Sequence, residues 1–457
     1  MKKKVITCLC TMALIVIFPI LTSAESFGPD EWNQYRLKSD KNAVFNNDSE
    51  PLNSQTYQTK DQIRATPVVV GNKLFVGNHN TGDLFAFDVR TGEELWHSQA
   101  PNWVHSEMIY HDGKVFVGFG NRYFQENGIR GTEESGVMAL DAEDGEVLWK
   151  FNTEGEVMPT PAYYDGSVYI VTGDRHLYKL NPENGELLHK EDIGSTVSMS
   201  APNIYEDTIY FGGSGPLPYT FSAYNLQTDE IKWQTEFPDV FSGLDDVPPA
   251  IANGIIVTTA LEKADDGENP EHFMYAMDVE SGEILWKESL GVGEMVKNNK
   301  SGAPMIYEDK VFVGSPITKT FYAYDLKTGE KLWQFENEVM KAPPVAQDGV
   351  VYFANTKGYV IALDAETGEL TGKKKLNGKL SPSGPIIIND TMFIGSQDSN
   401  VYAFPLTDFT QTSSEKNTQN ASKDDSGNGT SYIIIGILAV ILIVLIALML
   451  RKRSRKR

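Results

Sequence analysis

The sequence predicts an all-β protein: an eight-bladed β-propeller of four-stranded antiparallel blades, closed by an N-terminal strand and followed by one C-terminal transmembrane helix. Three observations carry this reading. A turn signature recurs seven times at spacings of 39 to 53 residues, short alternating segments fill the intervals, and a long uncharged apolar run stands near the C-terminus. Periods of about 40 residues built from short strands mark propeller blades.

The first element is a secretory signal over residues 1–24. Lys2, Lys3 and Lys4 form a basic start, residues 5–21 are apolar, and Thr22-Ser23-Ala24 offers a small-residue cleavage site. The mature chain is expected to begin at Glu25. Cys8 and Cys10 both lie in this segment and no other cysteine follows. That excludes disulfides, thiol catalysis and Cys-ligated metals from the exported part.

At the other end, residues 432–450 are nineteen residues without a charge, and residues 451–457 are Lys and Arg except for Ser454. About twenty apolar residues cross a hydrocarbon core of ~30 Å. The basic cluster keeps its side in the cytoplasm. The expected localisation is therefore a cell membrane, single-pass, with the propeller extracellular and the tail cytoplasmic. Residues 410–431 are rich in Ser, Thr, Asn, Gly, Lys and Asp. They read as a tether that lets the domain ride roughly 25 Å from the bilayer. No Leu-Pro-x-Thr-Gly sorting signal precedes the helix, so a retained anchor is expected, without attachment to a cell wall.

Between residues 25 and 431 there are 31 basic and 62 acidic residues. Such a surface repels nucleic acid and anionic headgroups and favours cationic partners, divalent ions included.

The repeat is carried by Asp88-x-x-Thr91-Gly92-Glu93-x-x-Trp96 and its counterparts ending at Trp149, His189, Trp233, Trp286, Trp333 and Gly372. The copy at Asn225-x-x-Thr228-Asp229-Glu230 has Asp in place of Gly. In each turn, Asp accepts local backbone N–H bonds and Gly takes the left-handed position. Ahead of it, each unit opens with a small-residue–Pro step such as Thr66-Pro67 or Ala303-Pro304. Proline is tolerated at a strand's first residue. A second strand follows, as in Lys73-Leu74-Phe75-Val76-Gly77, then a third, as in Leu84-Phe85-Ala86-Phe87. The recurrent tryptophans are expected to wedge between adjacent sheets, each burying ~150–250 Å².

An eighth unit starts at Pro385, has three strands, and ends at Pro405. A strand-like piece with no blade of its own lies at residues 54–59. Pairing it beside residues 401–404 would close the ring and remove both sheet edges. A seven-bladed ring with an unpaired flap is the alternative. The expected layout is thus 1–24 signal, 25–64 N-terminal segment and closing strand, 65–409 propeller, 410–431 tether, 432–450 helix and 451–457 tail.

These units resemble the pyrroloquinoline-quinone (PQQ) repeats of quinoprotein dehydrogenases and BamB-like scaffold propellers, over roughly residues 65–405. Trp32-Asn33-Gln34-Tyr35-Arg36 is similar to the Trp-x-Gln-Phe-Arg opening common in that family. For the enzymatic members the resemblance implies PQQ with calcium at the ring axis, a catalytic Asp and often a vicinal disulfide. This chain has no cysteine for the disulfide, and no motif maps the calcium ligands or the catalytic Asp onto it. The resemblance to BamB-like members is the stronger and implies a non-enzymatic scaffold, with a membrane helix here in place of a lipid.

No Gly-x-Ser-x-Gly, His-Glu-x-x-His or phosphate-binding glycine loop is present. No catalytic residue is assigned, and a surface hydrolase has no supporting motif. The better clue is where the repeat is broken. Insertions between second and third strands fall at residues 119–135, 214–220 and 261–272. Long connections between blades fall at 100–107, 237–247 and 291–302. Both kinds of connection emerge on one face, and irregular loops on a rigid repeat are where binding usually sits.

The candidate ligand-face residues are Trp103, His105, Arg122, Tyr123 and Phe124 on one side, with Phe241, Asp245 and Asp246 across the ring. Aromatics beside an acidic rim suit a peptide, a glycan or a cationic ligand. His272 and the run Asp265-Asp266-Gly267-Glu268-Asn269 lie near that rim. Asp265, Asp266 and Glu268 could supply oxygen ligands to Ca²⁺, without a full EF-hand pattern.

Two functions follow. The first is a membrane-anchored extracellular binding or scaffold module, engaging a protein or cell-envelope component through the looped face, with no cofactor. The alternative is a PQQ- and Ca-dependent dehydrogenase. An enzyme needs an axial cavity sized for a flat cofactor, whereas a scaffold has a narrow, water-filled axis.

Overall fold

The computed structural model describes residues 26–120, 134–265, 267–297 and 301–409. The chain divides into two compact units, Met1–Thr410 and Gln411–Arg457. The second lies outside the described residues, and with it the apolar run 432–450. Among the described residues no helix is long and apolar enough to cross a membrane.

Eight antiparallel sheets follow one another along the chain, covering residues 68–99, 109–152, 162–192, 203–237, 250–292, 305–336, 345–375 and 386–405. The first seven have four strands each, in sequence order. Two of the innermost strands, Val68–Val70 and Ile386–Ile388, are apolar runs buried throughout, while others such as Ile109–His111 are buried at their first residue and half-buried after it. Outermost strands alternate, as Glu230–Phe237 does, because one side packs on the neighbouring blade and the other meets solvent.

The Asp turn forms as its chemistry requires. Asp88 Oδ1 accepts from the N–H of Arg90 at 3.0 Å, the N–H of Thr91 at 2.7 Å and the Thr91 hydroxyl at 3.0 Å. The same triplet recurs at Asp278, Asp325 and Asp364. Five tryptophans then lock one blade to the next. The indole N–H of Trp96 donates to Ala142 O at 3.1 Å, Trp149 to Pro182 O at 2.9 Å, and Trp286 to Leu326 O at 3.0 Å. Trp233 and Trp333 do the same to Val279 O and Ala365 O. Gly372, which stands where blade 7 lacks a tryptophan, is instead covered by Phe409.

The ring closes with eight blades. The strand Gln55–Gln58 pairs antiparallel with Asn400–Pro405, placing Tyr57 opposite Val401, and completes the last blade. Tyr57 is fully buried, and its hydroxyl donates to Val89 O of blade 1 at 2.7 Å.

A feature the sequence did not reveal lies ahead of this clasp. Residues 28–45 run around the inner ends of all eight blades, bonding to the backbone of each in turn through main-chain or side-chain groups. Gly71 N donates to Pro29 O, Trp32 bridges Tyr110, and Tyr163 N donates to Asn33 O. Ile204 N then donates to the Gln34 side chain, Ile251 N to Ser39 O, and Ile306 N to Asp40 O. Ala346 N donates to the Asn42 side chain, and Val44–Phe45 pairs in parallel with the inner strand of blade 8. The innermost strands have no blade-side partner on their axial edge, so the segment satisfies N–H groups that would otherwise be orphaned.

The stretch 261–272 of blade 5 is a correction to the sequence reading. It is no free loop: Ile255–Lys263 and Pro270–Asp278 stay paired out to Lys263 opposite Pro270. The added residues lengthen a hairpin.

Candidate functional site: the looped face and the axis

Strand order puts the blade-to-blade connections and the second-to-third-strand connections at the same end of every blade. The N-terminal segment runs around the opposite end, where the first hairpin turns lie. The looped face is therefore open to the axis and the other face is stopped.

Where the inner strands begin, the axis holds a cavity of about 50 Å³. That is room for a few water molecules. Its lining includes Tyr35, with His105 and Glu107 from the 100–107 connection and Arg64, Asp246 and Lys341 each from a different connection. Arg64, Glu107, Asp246 and Lys341 are far apart in the sequence, and only ring closure brings them together.

Beneath the cavity sits a buried polar knot. Glu107 Oε1 accepts from the Trp32 indole at 2.7 Å and from the Arg36 N–H at 2.8 Å. The Arg36 guanidinium donates to Lys41 O at 2.9 Å and to Pro344 O at 2.7 Å. The Lys41 ammonium reaches Tyr35 O at 3.2 Å. Trp32, Arg36 and Lys41 have no exposed surface. Burial pushes the Glu107 carboxyl up to about 7, against the pull of its donors and of Arg36 and Lys41. The same burial brings the Lys41 ammonium down to about 7 and lifts the Tyr35 phenol to about 12. At the mouth, burial lowers Lys341 to about 8, with Asp246 opposing and Arg64 and Lys379 adding to the shift. Four charged groups thus converge there.

The sequence candidates divide on inspection. Trp103 and His105 do gather near the mouth: both pack on His79, with ring centroids at 4.8 and 5.5 Å. Trp103 is buried, so its ring serves this cluster. Asp246 lines the axis and accepts from the Ser301 N–H at 2.8 Å. Asp245 is corrected: it is buried and acts as a staple, accepting from Ser198 N and Oγ at 3.0 Å each and from Ser214 Oγ at 2.9 Å. His272 is also no rim residue. It is fully buried against Ser315 Oγ at 2.9 Å, and burial depresses its imidazole to about 3. Arg122, Tyr123, Phe124 and Asp266 lie outside the described residues. Asp265 and Glu268 are exposed at the tip of the blade 5 hairpin, where Gly267 N donates to Ala264 O. Among the described residues no group of three His, Cys, Asp or Glu side chains converges as a metal site.

Phe241 belongs to a second feature of this face. A groove of about 540 Å³ runs between blades 4 and 5, lined by Leu217, Tyr219, Val240, Phe241 and Lys263 among others. It joins the 214–220 insertion, the 237–247 connection and the lengthened hairpin. The insertions were legible in the sequence; their meeting in one groove was not.

An interlocked ring of tryptophan-docked four-stranded blades, with an N-terminal thread around the axis, defines a propeller of the PQQ-repeat class. The family described as outer membrane protein assembly factor BamB matches residues 119–236 and 218–409. The chain belongs to this family. A second match, described as the β-propeller domain of glucose/ethanol/alcohol dehydrogenase, covers residues 42–158. Among curated proteins, the chain is 28% identical over 387 residues to a tetrathionate hydrolase of Acidithiobacillus ferrooxidans, covering 78% of this chain and 77% of that one. It is 23% identical over 358 residues to BamB of Yersinia pestis, covering 74% and 83%. Two solved structures share the fold. BamB from Moraxella catarrhalis has a TM-score of 0.58 at 16% identity, covering 77% of this chain and 98% of that one. Quinohemoprotein alcohol dehydrogenase from Comamonas testosteroni has a TM-score of 0.61 at 14% identity, covering 82% and 80%.

Proposed function

We propose that this protein is a membrane-anchored extracellular binding or scaffold module, engaging a protein or cell-envelope component through its looped face. The observation that carries the reading is the contrast between the two ends of the axis. One face is stopped by the N-terminal thread, and on the other the connections 100–107 and 237–247 send His105, Glu107 and Asp246 to a cavity of about 50 Å³. Pockets that hold flat, drug-sized ligands are about 300–1,000 Å³. The small axial volume, lined by Tyr35 and Glu107, supports a reading without PQQ. The family match to BamB supports a scaffold. The uncharged run 432–450 and the basic tail support the anchor, and the signal-like residues 1–24 support export.

A second reading is favoured by one comparison, the likeness to a tetrathionate hydrolase. On that reading the axial mouth is a small-molecule site, with Arg64 and Lys341 attracting an anion and Glu107 poised near neutrality beneath them. Calorimetric titration of the full chain with PQQ and Ca²⁺, then with tetrathionate, separates the readings. The scaffold reading expects no heat of binding at millimolar ligand. Binding of PQQ with a raised melting temperature supports the dehydrogenase, and turnover of tetrathionate supports the hydrolase.

A further inference from the structure

We propose that the groove between blades 4 and 5 receives an extended basic segment of a partner protein, one apolar side chain seating beside Leu217 and Phe241 and a Lys or Arg facing Asp239. This rests on the looped face being the binding face and adds where on it the partner sits and what chemistry it carries.

Three observations lead there. The groove is large enough for side chains, at about 540 Å³, and its mixed lining includes the apolar Leu217, Tyr219, Val240 and Phe241. Leu217 is 69% exposed, the highest value for a large hydrophobic side chain among the described residues. An exposed apolar side chain held on a rigid wall is what an interface anchor fills.

The walls are fixed before any partner arrives. Phe241 N donates to Leu261 O at 3.1 Å, Leu261 N to Ser242 Oγ at 3.0 Å, and Val240 bridges Glu262, so the connection is sewn to the hairpin. Gly213 N donates to Thr220 O at 2.9 Å and closes the base of the insertion. The Tyr219 hydroxyl spans to Phe241 O at 3.4 Å. A preformed groove avoids the ordering cost that weakens loop-based binding.

Charge selects the occupant. Glu262 is already engaged by the Tyr275 hydroxyl and by Lys287 at 2.7 Å. Asp239 and Lys263 both lie on the groove and are exposed, and Asp239, which has no ion pair among the described residues, is the point where a partner's cation would pair. Asp265 and Glu268 stand exposed at the tip of the hairpin that carries Lys263. With 31 basic against 62 acidic residues between 25 and 431, the long-range field attracts cations and repels acidic segments.

The test uses the full chain in a neutral detergent and a fluorescein-labelled ten-residue peptide alternating Lys and Leu, read by fluorescence anisotropy. The reference is the same peptide with Glu for Lys. Leu217→Asp and Asp239→Lys should each weaken the basic peptide about tenfold or more. Glu154→Lys, elsewhere on the looped face, and Glu143→Lys, on the stopped face, should change it by less than about twofold. Circular dichroism confirms that each variant is folded. If Glu154→Lys weakens binding and the groove variants do not, the looped face stands and the groove assignment falls. If only Glu143→Lys weakens it, both fall. Equal binding of the basic and acidic peptides, or equal loss in all three charge reversals, also overturns the proposal.

Discussion

The indole of Trp96 lies against Gly145 of the next blade, where an added Cβ would come within 2.7 Å of the ring. The pairing recurs as Trp149 with Gly185, Trp233 with Gly282, Trp286 with Gly329 and Trp333 with Gly368. The spacing that recurs within each repeat thus encodes a contact between two repeats. The glycine is required twice over, by a φ near +75° and by the indole above it.

Gly145→Ala should therefore cost more than Gly113→Ala. Both have a left-handed φ, at 75° and 74°, but nothing lies within 4 Å of a Cβ at Gly113. The shared conformational cost is about 1–2 kcal/mol, and the clash adds about 1–3 kcal/mol at Gly145 alone. Urea unfolding of the two variants measures the difference, and equal losses would contradict the wedge.

At the joint between blades 3 and 4 both partners are exchanged: His189 holds the tryptophan position, and Asp229, at φ 55°, holds the glycine position. His189→Trp alone should gain little, because Asp229, held by Lys179 at 3.3 Å, puts a side chain where the other joints have a bare glycine. Combined with Asp229→Gly it should gain beyond the sum of the single effects by about 0.5–3 kcal/mol. A double-mutant cycle in urea reads the coupling, and strict additivity would refute it.

Ring closure rests on Tyr57, which also packs near Phe87 and Phe393 at centroid distances of 5.6 and 6.4 Å. Tyr57→Phe should cost about 1 kcal/mol through the lost bond to Val89 O. Tyr57→Ala should cost about 3–5 kcal/mol. Hydrogen exchange would then rise first in Asn400–Pro405, the strand the clasp pairs.

The polar knot predicts a stability minimum near neutral pH. The Glu107 carboxyl is raised from 4.5 to about 7, so the folded state holds its proton longer, and stability falls as pH rises from about 4.5 to 7. Lys41 is lowered from 10.5 to about 7, so its cost is full below 7 and fades as pH climbs towards 10.5. Glu107→Gln keeps an acceptor for Trp32 and Arg36 but should flatten the acid limb. Melting temperatures from pH 5 to 8 test this, and an unchanged slope in the variant would contradict it.

Local chemistry made the fold readable. Each Asp-x-x-Thr-Gly turn is fixed by residues two to four apart, and the clasp follows from an eighth unit one strand short. What the sequence hid was long-range. Residues 28–43 have no strand pattern because their bonds to the ring pass from one blade to the next. Asp245 and His272 looked like rim residues because burial is not written in residue type. Phe409 shows its role only beside Gly372, which it covers from the end of the eighth blade. The axial cluster of Arg64, Glu107, Asp246 and Lys341 exists only once the ring is closed.

The most direct test of the central claim is site-specific photo-crosslinking of the full chain in its native host. A photoreactive residue is placed at Glu154 or Asp239 on the looped face, or at Glu143 or Glu183 on the stopped face. The account predicts a discrete adduct with an envelope component from the looped-face positions and none from the other two. Adducts from the stopped face alone, or equally from both, would contradict it.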